Sequence, residues 1–177
     1  LESAAPAVRQ YNEGALAIYR ALKRLVLKYR LYGLTLRCFD LLTSVGNTGC
    51  LALAMLNSEG IPAGCEGDVP ALMSMAVGHA LTGSCGFQAN PSRIDPQTGE
   101  ILFAHCTVPF DMLRDYSFNT HFESGLGVAV HGEIPEGPAC LFKLSGDMKR
   151  YFCCSAELLE NQYGNQLCRT QVLLKLK

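Results

Sequence analysis

The sequence predicts a chain of mixed α and β structure, in which a parallel β-α-β-α segment is followed by an antiparallel sheet or barrel. Up to about Leu81, short buried strands alternate with helical patterns, which is the signature of a parallel sheet. After Gly83, short apolar runs are separated by turn signals rich in Gly, Pro, Asn and Ser. The change predicts a boundary between residues 1–81 and residues 82–177.

The first part contains three predicted helices and two predicted strands. Apolar residues recur at helical spacing from about Ala7 to Tyr29, with Gly33 expected to end that helix. Asp68 and Pro70 are typical of a helix start, and Gly83 of a helix end. The remaining predicted elements are a strand over Leu34–Phe39, a helix over Cys50–Asn57, a strand over Ile61–Cys65 and a helix from Asp68 or Pro70 to about Leu81.

The second part is predicted to consist of strands joined by hairpins. Turn signals such as Asn90-Pro91 and Pro135-Glu136-Gly137 separate its apolar runs. The predicted strands are Ile101–Val108, Gly127–His131, Cys140–Leu144, Tyr151–Cys154 and Arg169–Leu174.

Composition excludes several classes of function. The 177 residues are 49% apolar and carry a formal net charge of −1, so the chain lacks the basic field of a nucleic-acid-binding protein. Its apolar runs are too short for a membrane span, and the N-terminus has no secretion signal, which favours the cytoplasm. The start without Met and the interrupted strand at the end suggest a fragment of a longer protein.

The nine cysteines have irregular spacings and no Cys-x-x-Cys pair, which favours reduced thiols over a disulfide framework. Cys38, Cys50 and Cys140 lie in apolar runs, where a thiol behaves as a small hydrophobic side chain. We therefore expect most of the thiols to be structural.

Two acids stand where a buried strand ends and a helix begins. Open α/β sheets bind ligands beyond the carboxyl ends of their strands, so Glu66 and Asp68 are predicted catalytic residues. Asp68 has an alternative role as the N-cap of the helix. Glu66 has no Arg or Lys beside it in sequence, so it requires a cation, a hydrogen-bond donor or water as a partner.

A second group of polar residues lies farther along the chain. Asn90 is predicted to end a strand with residues 87–89, His105 lies within the next strand, and His121 and Glu123 are close together in sequence. A histidine in an alternating strand is more often a packed side chain than a ligand. Together, however, the set is typical of a divalent metal held by oxygen and imidazole donors.

At these residues the sequence resembles the L-fucose and L-arabinose isomerase family over roughly residues 34–144. Glu66 falls at the position of the family's first acid, and Asn90 at that of the second acid. The segment Gly78–Gly83 is similar to a helix end of the fucose isomerases, and His105 in Ile101–His105 resembles the metal-binding histidine of the arabinose isomerases. The segment from Asn119 to His131 is similar to the strand pair that follows.

The resemblance implies a fold and an activity. Residues 1–81 would be the C-terminal part of an α/β middle domain, and residues 82–177 an antiparallel Greek-key β-barrel domain, giving an α+β chain overall. The activity would be interconversion of aldoses and ketoses at a Mn²⁺ site, with proton transfer through an ene-diol. Glu66, Asn90 and His105 would bind the metal, and Asn90, His121 and Glu123 the sugar. A homo-oligomer is expected, because family members complete their sites between subunits.

Two departures from the family pattern leave alternatives open. Asn90 is a neutral amide and cannot act as a base, so Asp68 or Glu123 would have to supply the missing acid. The family's C-terminal metal-binding histidine lies beyond the matched region. An enzyme is therefore favoured, and the alternatives are a non-catalytic carbohydrate-binding or regulatory relative and a purely structural domain.

Overall fold

The computed structural model describes residues 4–177. Its helices and strands, in chain order, are α1 (Pro6–Arg9), α2 (Asn12–Tyr29), β1 (Leu34–Thr35), α3 (Phe39–Ser44), α4 (Cys50–Ser58), β2 (Ala63–Gly64), α5 (Val69–Thr82), β3 (Asn90–Asp95), β4 (Glu100–His105), a 3₁₀ turn (Phe110–Met112), β5 (Asp115–Asn119), β6 (Ala129–Glu133), β7 (Gly137–Leu144), β8 (Tyr151–Gln162) and β9 (Thr170–Leu176).

Helices α2, α4 and α5 lie close to where the sequence predicts them. The single helix predicted over residues 7–29 is divided into α1 and α2, and α2 ends at Tyr29 because Arg30 takes a left-handed conformation with φ 51°. Asp68 caps the start of α5, and Gly83 ends it at φ 79°. Within residues 4–177, no helix is both long and apolar enough to cross a membrane.

The first predicted strand is much shorter than expected. β1 contains two residues, and Phe39 begins a helix instead of ending the strand. β1 and β2 pair in parallel, with Leu34 opposite Ala63 and Thr35 opposite Gly64. Helix α4 packs against this pair through Leu53 and Leu56, whereas its Leu51 lies in a second buried cluster with Val128 and Val130.

The second part contains a five-stranded sheet among the described residues, in the order β3-β4-β9-β8-β7, and a separate antiparallel pair, β5-β6. Strands β3 and β5 were not predicted, while β8 runs eight residues beyond its predicted end. All neighbours in both sheets are antiparallel. Closure into a Greek-key barrel and the domain boundary after residue 81 stay predictions.

Candidate functional site

The centre of the candidate site is the turn that follows β2. Glu66 has φ 64° and Gly67 has φ 68°. A non-glycine residue in this left-handed region is uncommon, and such strain is characteristic of functional sites. Several hydrogen bonds hold the turn: the Gly67 N–H donates to the Leu36 carbonyl at 3.0 Å, the Asp68 N–H to the Cys65 carbonyl at 3.2 Å, and the Cys65 N–H to Gln88 Oε1 at 2.8 Å.

The turn directs the Glu66 carboxylate towards two of the predicted ligands. Asn90 Nδ2 donates to Glu66 Oε1 at 3.1 Å, and His105 Nε2 lies 3.5 Å from the same oxygen. Contact with His105 lowers the pKa of Glu66, helped by Asn90 and opposed by partial burial and by the negative charge of Asp68. Glu66 therefore has the partners that the sequence required, and it is a carboxylate at neutral pH.

The second ring nitrogen of His105 also has a hydrogen-bond partner. The residue is 3% exposed at the end of β4, and its Nδ1 lies 3.0 Å from the Thr107 hydroxyl oxygen in a buried hydrogen bond. Fixing one ring nitrogen orients the other, an arrangement that metal-binding histidines commonly use. The ring thus presents Nε2 to Glu66.

His121 and Glu123 come from the loop between β5 and β6. His121 is buried, its Nδ1 lies 3.2 Å from the Ser124 hydroxyl, and its ring packs edge-on against Phe39. Burial lowers the pKa of His121, which favours the neutral ring. Glu123 is exposed at the rim.

One cavity of about 210 Å³ brings most of these residues together. Five of the six predicted site residues line it: Glu66, Asn90, His105, His121 and Glu123. A larger depression of about 400 Å³ lies along α2 and is lined by Ala17, Tyr19, Arg20, Lys23 and Arg24. Those residues provide no carboxylate or imidazole, so we place the candidate site in the smaller cavity.

Asp68 has a different environment from the other five. Its Oδ1 accepts the Ala71 N–H at 2.7 Å, and its Oδ2 lies 3.0 Å from Lys143 Nζ. Although partial burial opposes it, these two contacts lower the pKa of Asp68. The carboxylate is engaged as a helix cap, which is the alternative role that the sequence allows, and Asp68 is not among the residues that line the cavity.

Cysteines form much of the remaining cavity wall. Cys38, Cys50, Cys65, Cys106 and Cys168 line it. Cys65 donates its S–H to Cys38 Sγ, and this hydrogen bond lowers the pKa of Cys38 to about 7 while it raises the pKa of Cys65. Cys140, which the sequence assigned to an apolar run, is instead exposed.

Sequence reasoning missed two residues that hold the site in place. Gln88 Oε1 accepts the Cys65 N–H, and Gln88 Nε2 donates to the Cys65 carbonyl at 3.4 Å. The strand predicted to end at residues 87–90 is wrong, because residues 84–89 form no strand and Asn90 begins β3. Thr107 orients His105, and the signal available in sequence was its spacing of two residues from a strand histidine. Neither side chain has a chemistry that would have distinguished it from an ordinary polar residue.

The donors fit a divalent cation in kind. Glu66 supplies a carboxylate oxygen and His105 an imidazole nitrogen, and rotation of the Asn90 amide by half a turn would present its oxygen. Among residues 4–177, no three His, Cys, Asp or Glu side chains form a group suited to a metal ion. If these residues are to supply three protein ligands, the third is therefore the amide oxygen of Asn90.

Comparison with known proteins gives a curated relative. The sulfoquinovose isomerase of Clostridium sp. (strain MSTE9) is 32% identical over 127 residues, which cover 71% of this chain. The chain spans about a quarter of that relative's length, 27%. No family model matches the chain. The relative is by name an isomerase of a sugar, and membership of the L-fucose and L-arabinose isomerase family stays a prediction.

Proposed function

We propose that this chain carries part of the active site of a metal-dependent aldose–ketose isomerase. The observation that carries the proposal is the Glu66 carboxylate, held at positive φ within reach of Asn90 and His105 in the wall of a cavity. The relative named sulfoquinovose isomerase supports a sugar as the substrate. The chain spans 27% of that relative's length, so the activity of the whole relative is carried over only as a proposal.

Glu66 is the proposed acid/base of this reaction. It is ionised at neutral pH, so it can accept a proton from the carbon next to the sugar carbonyl and return it to the neighbouring carbon, through an ene-diol. Its lowered pKa makes it a weak base, and the reaction therefore needs a more acidic C–H bond than a free sugar provides.

A divalent cation of the Mn²⁺ type would supply that acidity by stabilising negative charge on two neighbouring sugar oxygens. Glu66, His105 and the Asn90 oxygen are its proposed ligands, with Thr107 orienting His105. His121 and Glu123 line the same cavity from the β5–β6 loop, and we assign them to sugar hydroxyls. We assign Asp68 to capping α5, since both of its oxygens are engaged.

A second candidate is a carbohydrate-binding or regulatory protein without turnover. The observation in its favour is Asn90, which donates to Glu66 from the place where the resemblance expects a second carboxylate. This candidate keeps metal and sugar binding and lacks proton transfer.

Calorimetric titration of Mn²⁺ into metal-free protein tests the site. We expect micromolar binding that is lost in Glu66→Gln, a variant that keeps the size of the side chain and removes its charge. The control is Glu13→Gln, which removes one exposed carboxylate at the start of α2, far from these ligands in sequence. Wild-type protein that binds no Mn²⁺, or a Glu66→Gln variant that binds it equally well, would contradict the proposed site.

Proton transfer is tested separately from binding. The protein is incubated with Mn²⁺ and sulfoquinovose or an L-sugar in D₂O, and the sugar is then examined by mass spectrometry. Deuterium incorporation that depends on Glu66 would support isomerase chemistry, since the proton that the base takes from carbon can exchange with D₂O before the base returns it to the neighbouring carbon. Metal and sugar binding without deuterium incorporation would favour the second candidate.

A further inference from the structure

Two buried thiols lie in contact beside the proposed acid/base. Cys38 Sγ and Cys65 Sγ are 3.0 Å apart, and the residues are 8% and 3% exposed. The two thiols share a hydrogen bond, and neither cysteine forms a disulfide in the structure. Cys65 immediately precedes Glu66, and Cys38 immediately precedes α3, so the pair bridges two segments of the cavity wall.

The backbone holds these two segments in register. The Leu36 N–H donates to the Gly64 carbonyl and the Gly67 N–H to the Leu36 carbonyl, both at 3.0 Å. These bonds continue the β1–β2 pairing past its last residue. The thiols are therefore brought together by the same parallel pairing that sets the Glu66 turn, and small side-chain movements would suffice to join them.

We propose that Cys38 and Cys65 are a modification site, a dithiol that a hydroperoxide oxidises to a disulfide in the wall of the cavity. A disulfide requires a sulfur separation of about 2.05 Å, so the two sulfur atoms must approach by roughly 1 Å. Both side chains line the cavity, which a molecule as small as hydrogen peroxide can enter.

The reaction balances with the peroxide as the two-electron oxidant. The Cys38 sulfur attacks one peroxide oxygen, the O–O bond breaks, and a sulfenic acid and one water form. The Cys65 sulfur then attacks the Cys38 sulfur, the S–O bond breaks, and the second water leaves with the thiol proton. The protein loses two hydrogen atoms and the peroxide is reduced to two waters.

The surface thiols provide a comparison within the same chain. Cys140 and Cys153 lie on adjacent strands with their sulfur atoms 3.7 Å apart, and both are exposed. They meet oxidant more readily than the cavity pair but are less closely apposed. A disulfide confined to the surface would reflect exposure alone, whereas one between Cys38 and Cys65 requires the cavity geometry.

The expected consequence is a link between thiol oxidation and the geometry of the Glu66 turn. A disulfide would tie residue 65 to the start of α3 and restrict the backbone that carries Glu66. Disulfide formation is read from the covalent state of the two cysteines, so it can be observed whether or not the protein is an isomerase.

The experiment treats the reduced protein with hydrogen peroxide, blocks the remaining thiols by alkylation, and digests it with proteases that cut after Glu and before Asp. This digestion places each relevant cysteine in a separate peptide: Cys38 in residues 14–39, Cys50 in residues 40–59 and Cys65 in residues 60–66. We expect mass spectrometry to find peptides 14–39 and 60–66 joined with the loss of two hydrogens. Dithiothreitol should separate them.

Variants define which sulfurs react. Cys38→Ser and Cys65→Ser should each abolish the joined peptide, whereas Cys50→Ser and the surface variant Cys140→Ser should retain it. Three results on the wild-type protein would overturn the proposal. Cys38 and Cys65 could both be found alkylated, and therefore still reduced, after Cys140 and Cys153 have been oxidised. Alternatively, Cys38 could be joined to Cys50, or it could be converted to a sulfinic acid without any joined peptide.

Discussion

Replacing Asp68 distinguishes a helix cap from a catalytic acid. Asp68→Asn keeps an oxygen that can accept the Ala71 N–H, but it removes the ion pair with Lys143. Asp68→Ala removes both contacts. The two variants therefore separate the cap from the charge.

The magnitudes follow from the two contacts. Asn caps helices about as well as Asp, while Ala at a cap position costs roughly 1 kcal/mol of stability. The ion pair is half exposed, with Lys143 at 50% and Asp68 at 33% side-chain exposure, so it contributes on the order of 0.5 kcal/mol. We expect the free energy of unfolding to fall by about 0.5 kcal/mol in Asp68→Asn and by about 1.5 kcal/mol in Asp68→Ala.

Urea denaturation measures both changes as shifts of the midpoint at constant slope. The pKa of Asp68 is lower in the folded protein than in the unfolded chain, so the folded state binds fewer protons. The stabilisation by its charge is complete above the unfolded value of about 3.9 and is lost as the pH falls through the lower folded value. The difference between wild type and Asp68→Asn should therefore vanish in acid.

Binding data decide whether Asp68 also belongs to the site. If Asp68 only caps α5, Asp68→Asn binds Mn²⁺ as tightly as the wild type. A folded Asp68→Asn variant with a near-native urea midpoint and no Mn²⁺ binding would show that Asp68 does more than cap α5. It would then support the assignment of Asp68 as a catalytic residue.

Two further predictions concern contacts that hold the site and its loop. Thr107→Val should weaken Mn²⁺ binding by about tenfold because His105 loses its orienting hydrogen bond. Thr107→Ser should keep the affinity of the wild type in the same calorimetric titration. Equal affinities in all three proteins would exclude a role of Thr107 in positioning His105. Gly127→Ala should cost more stability in urea than Gly125→Ala. Both glycines have similar positive φ, so each substitution costs about 1 kcal/mol in backbone strain. Only at Gly127 would a Cβ lie 2.7 Å from the backbone N of Thr48, adding roughly 1–3 kcal/mol, and equal losses would contradict that close approach.

Local signals predicted the helices better than the strands. Asp68 with Pro70, and Gly83, are chemical markers of a helix start and end, and α5 lies between them. Strand limits depend on pairing with distant residues, which one sequence does not encode locally. β1 keeps only two residues, and Phe39 enters a helix although its apolar run is typical of a strand.

The candidate site could be predicted as a set of residues but not as an arrangement. Glu66 was identified by its place after a strand, and its partners by their chemistry. Their convergence involves contacts between residues far apart in sequence, such as those of the Gln88 side chain with the Cys65 backbone. No residue near either position indicates these contacts.

Strand register determines whether Asn90 can reach Glu66. Asn90 lies opposite Ala104, which places it beside His105, and a slip by one residue would turn the side chain to the other face of the sheet. The register is irregular between Pro91 and Arg93, so the β3–β4 pairing there does not by itself fix the position of Asn90.

A hydrogen-bonded turn joins β3 and β4 at the opposite end of the same hairpin. Asp95 Oδ1 accepts the N–H groups of Gln97 at 2.8 Å and Thr98 at 3.3 Å, and the Gly99 N–H donates to the Asp95 carbonyl at 2.9 Å. A turn closed by three hydrogen bonds sets which residues of β3 and β4 face each other. The turn therefore sets the register over residues 93–95, whereas the irregularity between Pro91 and Arg93 separates that part of β3 from Asn90, so the position of Asn90 beside Glu66 depends on both features.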